Sequence, residues 1–384
     1  MGNPVNRVLV NATTLKKGGA LQAAANFIRV AGTGGREDFD WSFALSPEVL
    51  EQVKGQGLEL SRARVFRDSP ARSVRSRVAL KDFEAEVSPK LVFTFFGPAY
   101  MRFRAFHLCG VADPGVTHPN RYAYLVLGRS KALTARARQY YRRLWVKRAH
   151  AWVVEAEVAR EGLVRLAGCP PSQIDVVPNV CSDAYRLAGE NRTCEPKSDG
   201  LRVFVFSAYY PHKNLELIPE VAAVLRARRP GLDFRFVMTL PGSAVEFKRI
   251  LHKAEQLGVL GYLENMGVVP VKDGPAAYAR CDVSFLPTLH ETSTAVFPES
   301  MAMGLPIVTT RMGFNTEICR DAAMYFEPMN ATSAADMILK LVDYPDKWEQ
   351  CVKKGREIIR SMSDQGGKYR AYRRCIEKHL LTQQ

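Results

Sequence analysis

The fold is decided by one stretch, DVSFLPTLHETSTAVFPESMAMGLPIVTT, which covers residues 282–310. A strand-like run, DVSFLPT at 282–288, is followed by small hydroxyl residues, a helix-length segment at 296–304 and a second strand-like run, PIVTT at 306–310. This order predicts a strand, a loop, a helix and another strand. Strands joined through a helix pair in parallel within one sheet, so the stretch predicts part of a doubly wound α/β domain.

Strands and helices alternate on both sides of this stretch. In the N-terminal half, NRVLVNA at 6–12 predicts a strand that leads through a glycine-bearing turn into the helix ALQAAANFIRVA at 20–31. A second series starts with LRVFVFSAY at 201–209. Alternating strands and helices imply a parallel sheet that is covered on both faces.

The two series are separated at residues 180–200, where apolar periodicity disappears and a linker is expected. We therefore expect one Rossmann-like domain over residues 1–180 and another over 200–345, with a cleft between the carboxyl ends of their strands. Residues 346–384 have a helical pattern broken at MSDQGG. They form either a cap on the second domain or, as we expect, helices that cross back to the first.

Composition limits the class of protein. The 384 residues are 47% hydrophobic, which is enough for more than one compact domain. No stretch approaches the roughly 20 uncharged apolar residues of a membrane-spanning helix, and the start of the chain lacks the apolar segment of a secretory signal. The eight cysteines are scattered without zinc-ligand spacing, so we expect reduced thiols in a cytoplasmic protein.

The positive charge is concentrated in the N-terminal half. Residues 1–180 hold 27 lysines and arginines against 15 acidic residues, whereas residues 181–384 hold 27 against 24. Such a field attracts nucleic acid, anionic lipid or phosphorylated small molecules. The signatures of the common nucleic-acid-binding modules are missing, so no nucleic-acid partner is expected.

A basic and aromatic stretch, KALTARARQYYRRLWVKRAH, occupies residues 131–150. It predicts either a solvated helix that covers the sheet or an amphipathic helix that rests on anionic lipid. The second interpretation predicts peripheral association with the anionic inner-membrane surface.

Two glutamates, Glu291 and Glu299, flank seven residues that begin with Thr292, Ser293 and Thr294 at the expected start of a helix. A carboxylate accepts hydrogen bonds from sugar hydroxyls, and the start of a helix favours phosphate. The pair therefore predicts a grip on the two ends of a nucleotide sugar. The alternative is an ordinary strand, loop and helix with solvated glutamates.

The motifs around this pair resemble the donor-binding signature of GT-B, family 4 (group 1) retaining glycosyltransferases of bacterial surface-polysaccharide type. The E-x7-E pair is followed by M-A-x-G-x-P at 301–306, a strand at 307–308 and a turn from Gly313 to Glu317. The resemblance is strong over residues 200–330 and loose over 1–180. It implies a GT-B architecture, transfer with retention at the anomeric carbon, and no metal or other cofactor.

The resemblance also implies roles for single residues. Glu299 would bind the ribose hydroxyls, and Glu291 would bind a hydroxyl of the transferred sugar and take part in catalysis. Backbone groups that face the sugar and phosphate would come from Thr292, Ser293, Thr294 and Ala295. Gly267 and Val268 match the loop that holds the nucleobase.

Lys213 stands just before a predicted helix, where a cation meets the departing diphosphate. Similar proteins usually carry an arginine a few residues earlier, but residues 207–210 of this chain read SAYY. Either Lys213 acts with His212 or with a residue elsewhere, or charge neutralisation is weaker. The missing arginine also supports an alternative function, that of a catalytically weak or silent partner subunit in a glycan-assembly complex.

Candidates in the N-terminal half rest on weaker signals. Gly18 and Gly19 lie in the first turn between strand and helix, where they allow close approach of a sugar or phosphate or simply form the turn. A predicted loop over residues 97–118 contains the other candidates for the sugar and acceptor side: Gly97, His107, Asp113 and His118. His107 is either a catalytic or a structural residue.

Taken together, the residues and the resemblance predict a hexosyl- or deoxyhexosyltransferase. It would use a nucleotide-sugar donor and a glycan or lipid-linked acceptor in the synthesis of O-antigen of lipopolysaccharide, capsule or similar polysaccharide. Nucleotide-sugar epimerases and phosphorylases share the GT-B fold. The sequence shows neither the further catalytic carboxylates and histidines of the first nor the pyridoxal-binding lysine motif of the second.

Overall fold

The fold is described from a computed structural model of the chain. The structure describes residues 6–33, 39–55, 57–58, 60, 62–190, 192 and 200–382. Most of the second half of the predicted linker, with Cys194, lies outside the described residues. The seven cysteines in the described ranges are buried and form no disulfide.

Two parallel sheets form the framework. The strands of the first sheet are β1 (Asn6–Ala12), β2 (Phe39–Leu45), β3 (Ala63–Val65), β4 (Leu91–Thr94), β5 (Phe106–Gly110), β6 (Ala151–Val154) and β7 (Ile174–Val176). Those of the second sheet are β8 (Leu201–Val205), β9 (Phe234–Met238), β10 (Leu263–Asn265), β11 (Val283–Leu286), β12 (Ile307–Thr310) and β13 (Ala323–Phe326). Their orders are β3-β2-β1-β4-β5-β6-β7 and β10-β9-β8-β11-β12-β13.

Helices separate most of the strands. Up to the end of the first sheet they are α1 (Gly19–Thr33), α2 (Pro47–Lys54), α3 (Val74–Val87), α4 (Pro114–Thr117), α5 (Arg121–Leu125), α6 (Arg129–Val146) and α7 (Glu157–Gly162). The later helices are α8 (Asp183–Glu190), α9 (Ile218–Arg228), α10 (Val245–Gln256), α11 (Gly274–Ala279), α12 (Val296–Ala302), α13 (Gly313–Cys319), α14 (Ala331–Asp343), α15 (Pro345–Ser361) and α16 (Gln365–Leu381).

In each sheet the strand order reverses direction beside the first strand of that sheet. β1 lies between β2 and β4, and β8 lies between β9 and β11. In doubly wound folds, ligands bind beyond the carboxyl ends of the strands at this switch point. The loops at these switch points are those that follow β1 and β4 in the first sheet, and β8 and β11 in the second.

The chain folds as two compact units. The first contains residues up to His118, Thr134–Pro178 and the chain from Gly366 onward. The second contains Pro119–Leu133 and Asn179–Gln365. A short segment of the N-terminal half thus belongs to the second unit, and the two C-terminal helices belong to different units.

The last helix, α16, is built into the core of the first unit. The ring of Tyr372 lies 5.7 Å from that of Phe93 and 5.2 Å from that of Phe95. Lys368 Nζ also forms a salt bridge of 2.9 Å with Glu155 Oε1, and both side chains are buried. Removing one partner of a buried pair leaves an uncompensated charge, so α16 is an integral part of this unit.

The prediction of one continuous loop over residues 97–118 is wrong. The segment contains β5, which pairs in parallel with β4 and β6, and the short helix α4. β5 is only five residues long and includes His107 and a glycine, so its composition gives a weak strand signal.

Candidate functional site

A charged pair occupies the switch point of the second sheet. Lys213 ends a short 3-10 turn after β8, and Glu291 lies in the loop between β11 and α12. β8 and β11 are neighbours in the sheet, so their carboxyl ends bring these two loops together. Lys213 Nζ and Glu291 Oε1 form a salt bridge, and the two side chains are only 13% and 14% exposed.

Two further groups face the same carboxylate oxygen. The hydroxyl of Thr288 donates a hydrogen bond of 3.0 Å to Glu291 Oε1, and His212 Nε2 lies 3.9 Å from that oxygen. Burial by itself would raise the pKa of Glu291, but the charges of Lys213 and His212 and the hydrogen bonds lower it below its usual value. Glu291 is therefore an ionised acceptor at neutral pH.

Backbone contacts hold the two loops in place. The backbone N–H of Leu289 donates to the carbonyl of His212 at 2.7 Å. Asn120 Nδ2 then donates to the carbonyl of Leu289 at 2.9 Å, and Asn120 also caps α5. The segment at 119–133 thus supports the loop that carries Glu291, a role that sequence spacing did not indicate.

Buried hydroxyl and amide groups fix the ends of β11 and β12. Thr309 Oγ1 donates to the carbonyl of Leu286 at 2.8 Å, and Thr310 Oγ1 donates to that of Thr288. Asn315 Nδ2 donates to Thr309 Oγ1 at 3.1 Å and to Thr310 Oγ1 at 2.9 Å. The hydrogen bonds that Asn315 and the two threonines donate join the two strand ends and so position them.

Glu299 lies one turn inside α12, in a less polar setting than Glu291. Tyr278 OH donates a hydrogen bond of 3.3 Å to Glu299 Oε2. Burial raises the pKa of Glu299 to about 7, although the bond from Tyr278 opposes the shift. Ser300 Oγ lies 2.8 Å from Ser284 Oγ of β11 and so ties α12 to the sheet.

The residues between the two glutamates have different surroundings. Thr292 and Thr294 are buried, Ser293 is half-buried and Ala295 is exposed. Thr292 Oγ1 has no hydrogen-bond partner among the residues that the structure describes. Such a hydroxyl costs free energy unless a partner reaches it, which makes Thr292 a candidate contact for a polar ligand.

The predicted base-binding loop follows β10. Gly267 has a φ of +75°, a conformation that favours glycine. Asn265 shapes this turn, because its Oδ1 accepts from the N–H of Leu240 at 3.0 Å and from that of Gly267 at 3.3 Å. Val268 is 67% exposed, so this residue lies at the surface.

In the first unit, the glycine turn lies at the switch point. Gly18 has a φ of +81°, and Gly19 is the first residue of α1. A Cβ atom built on either glycine meets no other atom within 4 Å, so the backbone is open on that side. The turn therefore has space for a ligand.

His107 lies inside β5 rather than in a loop. Its Nε2 is 2.8 Å from Thr94 Oγ1, which in turn accepts a hydrogen bond of 3.2 Å from Asn11 Nδ2. Burial, and to a lesser degree the charge of His150, lowers the pKa of His107 to about 3. A buried neutral imidazole with this pKa is a poor proton acceptor, so its surroundings favour a structural role.

The other candidates of the 97–118 segment make packing, capping and hydrogen-bond contacts within the fold. A Cβ atom on Gly97 would lie 2.4 Å from Cys109 Sγ, so packing requires glycine there. Asp113 caps α4 and forms a salt bridge with Arg142. Thr117 Oγ1 lies 2.8 Å from Nδ1 of the buried His118.

The basic helix α6 has two different faces. Arg143 donates to the carbonyls of Gly115 and Val116 at 2.9 and 2.8 Å, so Arg142 and Arg143 both hold α4. The other basic side chains of the stretch are exposed together with large apolar ones. The exposed α6 face, which includes two residues just after the helix end, consists of Lys131, Leu133, Arg136, Arg138, Tyr140, Tyr141, Leu144, Lys147 and Arg148.

The described residues contain neither a candidate metal-binding cluster nor a membrane-spanning helix. No group of three or more histidine, cysteine or acidic side chains in this part of the chain has a geometry that could hold a metal ion. None of its helices is both long enough and apolar enough to cross a bilayer.

The loops at the second switch point fall within a family match. Residues 190–358 match the family described as glycosyl transferases, group 1. The matched segment is similar to group 1 glycosyl transferases. It contains Lys213, Gly267 and both glutamates of the E-x7-E pair, whereas the first unit's candidates lie outside it.

Sequence similarity to a curated protein is partial. The chain is 27% identical over 168 residues to a D-inositol 3-phosphate glycosyltransferase of Acidothermus cellulolyticus. The alignment covers 41% of this chain and 38% of that protein, so the chain spans about two fifths of its relative's length.

Solved structures extend the similarity to nearly the whole chain. A glycosyltransferase from Rickettsia africae matches with a TM-score of 0.72 at 14% identity, covering 99% of both chains. Anabaena HepE in complex with UDP-glucose matches with a TM-score of 0.71 at 13% identity, covering 97% of this chain and 99% of that one. With its two Rossmann-like parallel sheets, the chain has the GT-B fold, as its sequence predicts.

Proposed function

We propose that this protein is a metal-independent, retaining family 4 glycosyltransferase. It transfers a hexosyl or deoxyhexosyl group from a nucleotide sugar to a glycan or lipid-linked acceptor in bacterial surface-polysaccharide synthesis. The observation that carries the proposal is the Lys213–Glu291 pair at the switch point of the second sheet, inside the matched segment.

The two glutamates supply complementary parts of a donor site. Glu291 is ionised and held by Thr288, so it accepts a hydrogen bond from a hydroxyl of the transferred sugar. Glu299 is on the same segment and accepts hydrogen bonds from the ribose. Thr292 lies between them in the sequence, and an oxygen of the nucleotide sugar accepts a hydrogen bond from its buried hydroxyl.

The chemical step releases a diphosphate. The bond between the anomeric carbon and the diphosphate oxygen breaks, and the electron pair remains on the departing diphosphate. The acceptor hydroxyl forms the new bond from the same face and loses its proton to the released diphosphate oxygen. Lys213 stabilises the negative charge that develops there, which is electrostatic catalysis by a preorganised group.

The exposed α6 face suits a lipid-linked acceptor. Basic side chains interact with anionic headgroups, while Tyr140 and Leu144 are exposed on the same helix and reach the apolar boundary. We therefore place the enzyme at the cytoplasmic surface of the inner membrane, bound by charge and by a shallow aromatic contact.

A turnover assay tests the function. Purified protein is incubated with UDP-, GDP- and dTDP-sugars in the presence of EDTA, and release of the nucleoside diphosphate is measured with and without membrane lipid extract. We expect hydrolysis or transfer with one donor, and its loss in Glu291→Gln. The exposed Glu255 provides the matched control Glu255→Gln, which keeps activity.

The result separates the alternatives. Donor binding without turnover would favour the silent partner subunit, and activity that disappears in EDTA would contradict metal independence. Release of the nucleoside diphosphate with an inverted product would contradict the retaining mechanism.

A further inference from the structure

The diphosphate site lacks a second cation of the usual kind. Lys213 is paired with Glu291, so its charge is already balanced before a ligand binds. Residues 207–210 are Ser-Ala-Tyr-Tyr and contribute no charge where similar proteins usually place an arginine. A diphosphate carries at least two negative charges, so Lys213 alone leaves the site short of positive charge.

His212 is placed to supply that charge. It lies on the same short turn as Lys213, and its Nε2 is 3.9 Å from Glu291 Oε1, the oxygen that Lys213 contacts. Its ring stacks on Tyr210 at 5.5 Å and 14°, which fixes the plane of the imidazole. The side chain is 32% exposed, so a ligand can reach it.

The protonation of His212 is controlled by its neighbours. The titratable or charged groups that contact or influence it are Lys213, Glu291, His290 and Tyr210. Helix α5, which packs against its turn, carries Arg121, Tyr122 and Tyr124. Arg121 donates a 2.8 Å hydrogen bond to Tyr122 OH. Burial lowers the pKa of His212, Glu291 opposes this and Lys213 adds to it, so the imidazole is neutral at neutral pH in the free protein.

We propose that His212 is the second cation of the diphosphate site: it takes up one proton from solvent when a diphosphate binds and then donates Nε2–H to a phosphate oxygen. This inference rests on the proposed function. In this site His212 takes the place of a permanently charged arginine, and the positive charge of its imidazole appears only when the diphosphate is bound. Diphosphate binding is therefore coupled to proton uptake and weakens as pH rises.

Inorganic pyrophosphate is the sharpest probe, because it has no ribose and does not report on Glu299. Its affinity for wild type, His212→Asn and His212→Lys is measured by calorimetry at about pH 6 and about pH 8.5. Pyrophosphate itself titrates in this range, so the compared quantity is the ratio of variant to wild-type affinity at each pH. His252→Asn, an exposed histidine of α10, is the matched control.

We expect His212→Asn to bind about tenfold more weakly than wild type at pH 6, and within about twofold of it at pH 8.5. His212→Lys should bind more tightly than wild type at pH 8.5, because its charge is permanent. Calorimetry near pH 7 in two buffers of different ionisation enthalpy should show about one more proton taken up by wild type than by His212→Asn. His252→Asn should match wild type throughout.

Equal affinities of wild type and His212→Asn at pH 6 would overturn the inference, as would His212→Lys binding no better than His212→Asn at pH 8.5. Lys213→Ala locates the site, because it should remove the difference between wild type and His212→Asn. Wild type that turns over a nucleotide sugar but lacks the pH effect would leave the proposed function intact. Wild type that binds neither pyrophosphate nor any nucleotide sugar would overturn both.

Discussion

The two sheets have the same parallel, doubly wound topology, yet the candidate polar residues of the two units have different roles. In the first unit, His107 is buried in a strand against Thr94, and Asp113 is a helix cap bound to Arg142. In the second unit, Lys213 and Glu291 form a partly accessible charged pair at the strand ends. A reactive residue type is thus informative only when the fold places it at the switch point.

The largest expected effect is at Lys213. Lys213→Ala should remove about 2–4 kcal/mol of transition-state stabilisation, because one preorganised charge no longer meets the departing diphosphate. The kcat for sugar transfer should fall by roughly 30- to 1000-fold. A loss in kcat below about tenfold would mean that another cation stabilises the diphosphate. The catalytic charge would then not depend on the second unit's Lys213 as we propose.

The second prediction concerns the exposed α6 face. Each basic residue near an anionic surface contributes about 1 kcal/mol, so Lys131/Arg138/Arg148→Glu should weaken binding to anionic liposomes on the order of 100-fold. Arg142 and Arg143 are kept, because they hold α4.

A control with the same change in net charge separates docking from bulk electrostatics. The exposed residues Lys248, Lys353 and Arg360 of the second unit are changed to glutamate in a second variant. Sedimentation with anionic and neutral liposomes at low and high salt is the measurement. Equal loss in the two variants would show that no particular face docks.

The third prediction sets Glu291 against Glu299. The pKa of Glu299 is raised to about 7, so its contribution to stability falls as pH rises from about 4.5 to about 7. The pKa of Glu291 is lowered, so its ionised carboxylate stabilises the fold at neutral pH. This contribution to stability is lost as pH falls through the lowered pKa. The Tm of Glu299→Gln minus that of wild type should therefore become more positive between pH 5 and pH 8. The Tm of Glu291→Gln minus that of wild type should become more negative.

Melting curves of both variants and wild type across pH 4 to 9 measure these opposite slopes. Parallel curves for the two glutamine variants would contradict the different environments described for these carboxylates.

The smallest effect on catalysis is expected at His107. His107→Gln should destabilise the fold by about 1–3 kcal/mol, since Thr94 loses a buried partner. The kcat of the folded protein should stay within about twofold of wild type. A large fall in kcat with an unchanged Tm would instead support the catalytic role that the sequence left open.

Sequence reasoning succeeded where local signals were strong. The strand, loop and helix around Glu291 have clear periodicity, so the second sheet could be predicted, and the resemblance of the motifs to a known family implied the GT-B fold. It failed for β5, whose short sequence resembles a loop.

Other features depend on tertiary contacts that periodicity does not record. Thr288 and Asn120 support the Glu291 loop, but neither forms a motif with it. Both could have been predicted as supporting residues from their type and place, because a hydroxyl at a predicted strand end or an amide at a predicted helix cap often bonds to a nearby loop.

The central claim is that the E-x7-E segment binds a nucleotide sugar, and calorimetry of donor binding tests it most directly. The donor identified in the turnover assay is titrated into wild type, Glu299→Ala and the exposed control Glu255→Ala. Because ribose contacts are made in the ground state, we expect Glu299→Ala to bind at least about tenfold more weakly and Glu255→Ala to match wild type. Unchanged donor affinity in Glu299→Ala, with wild-type folding, would contradict the account.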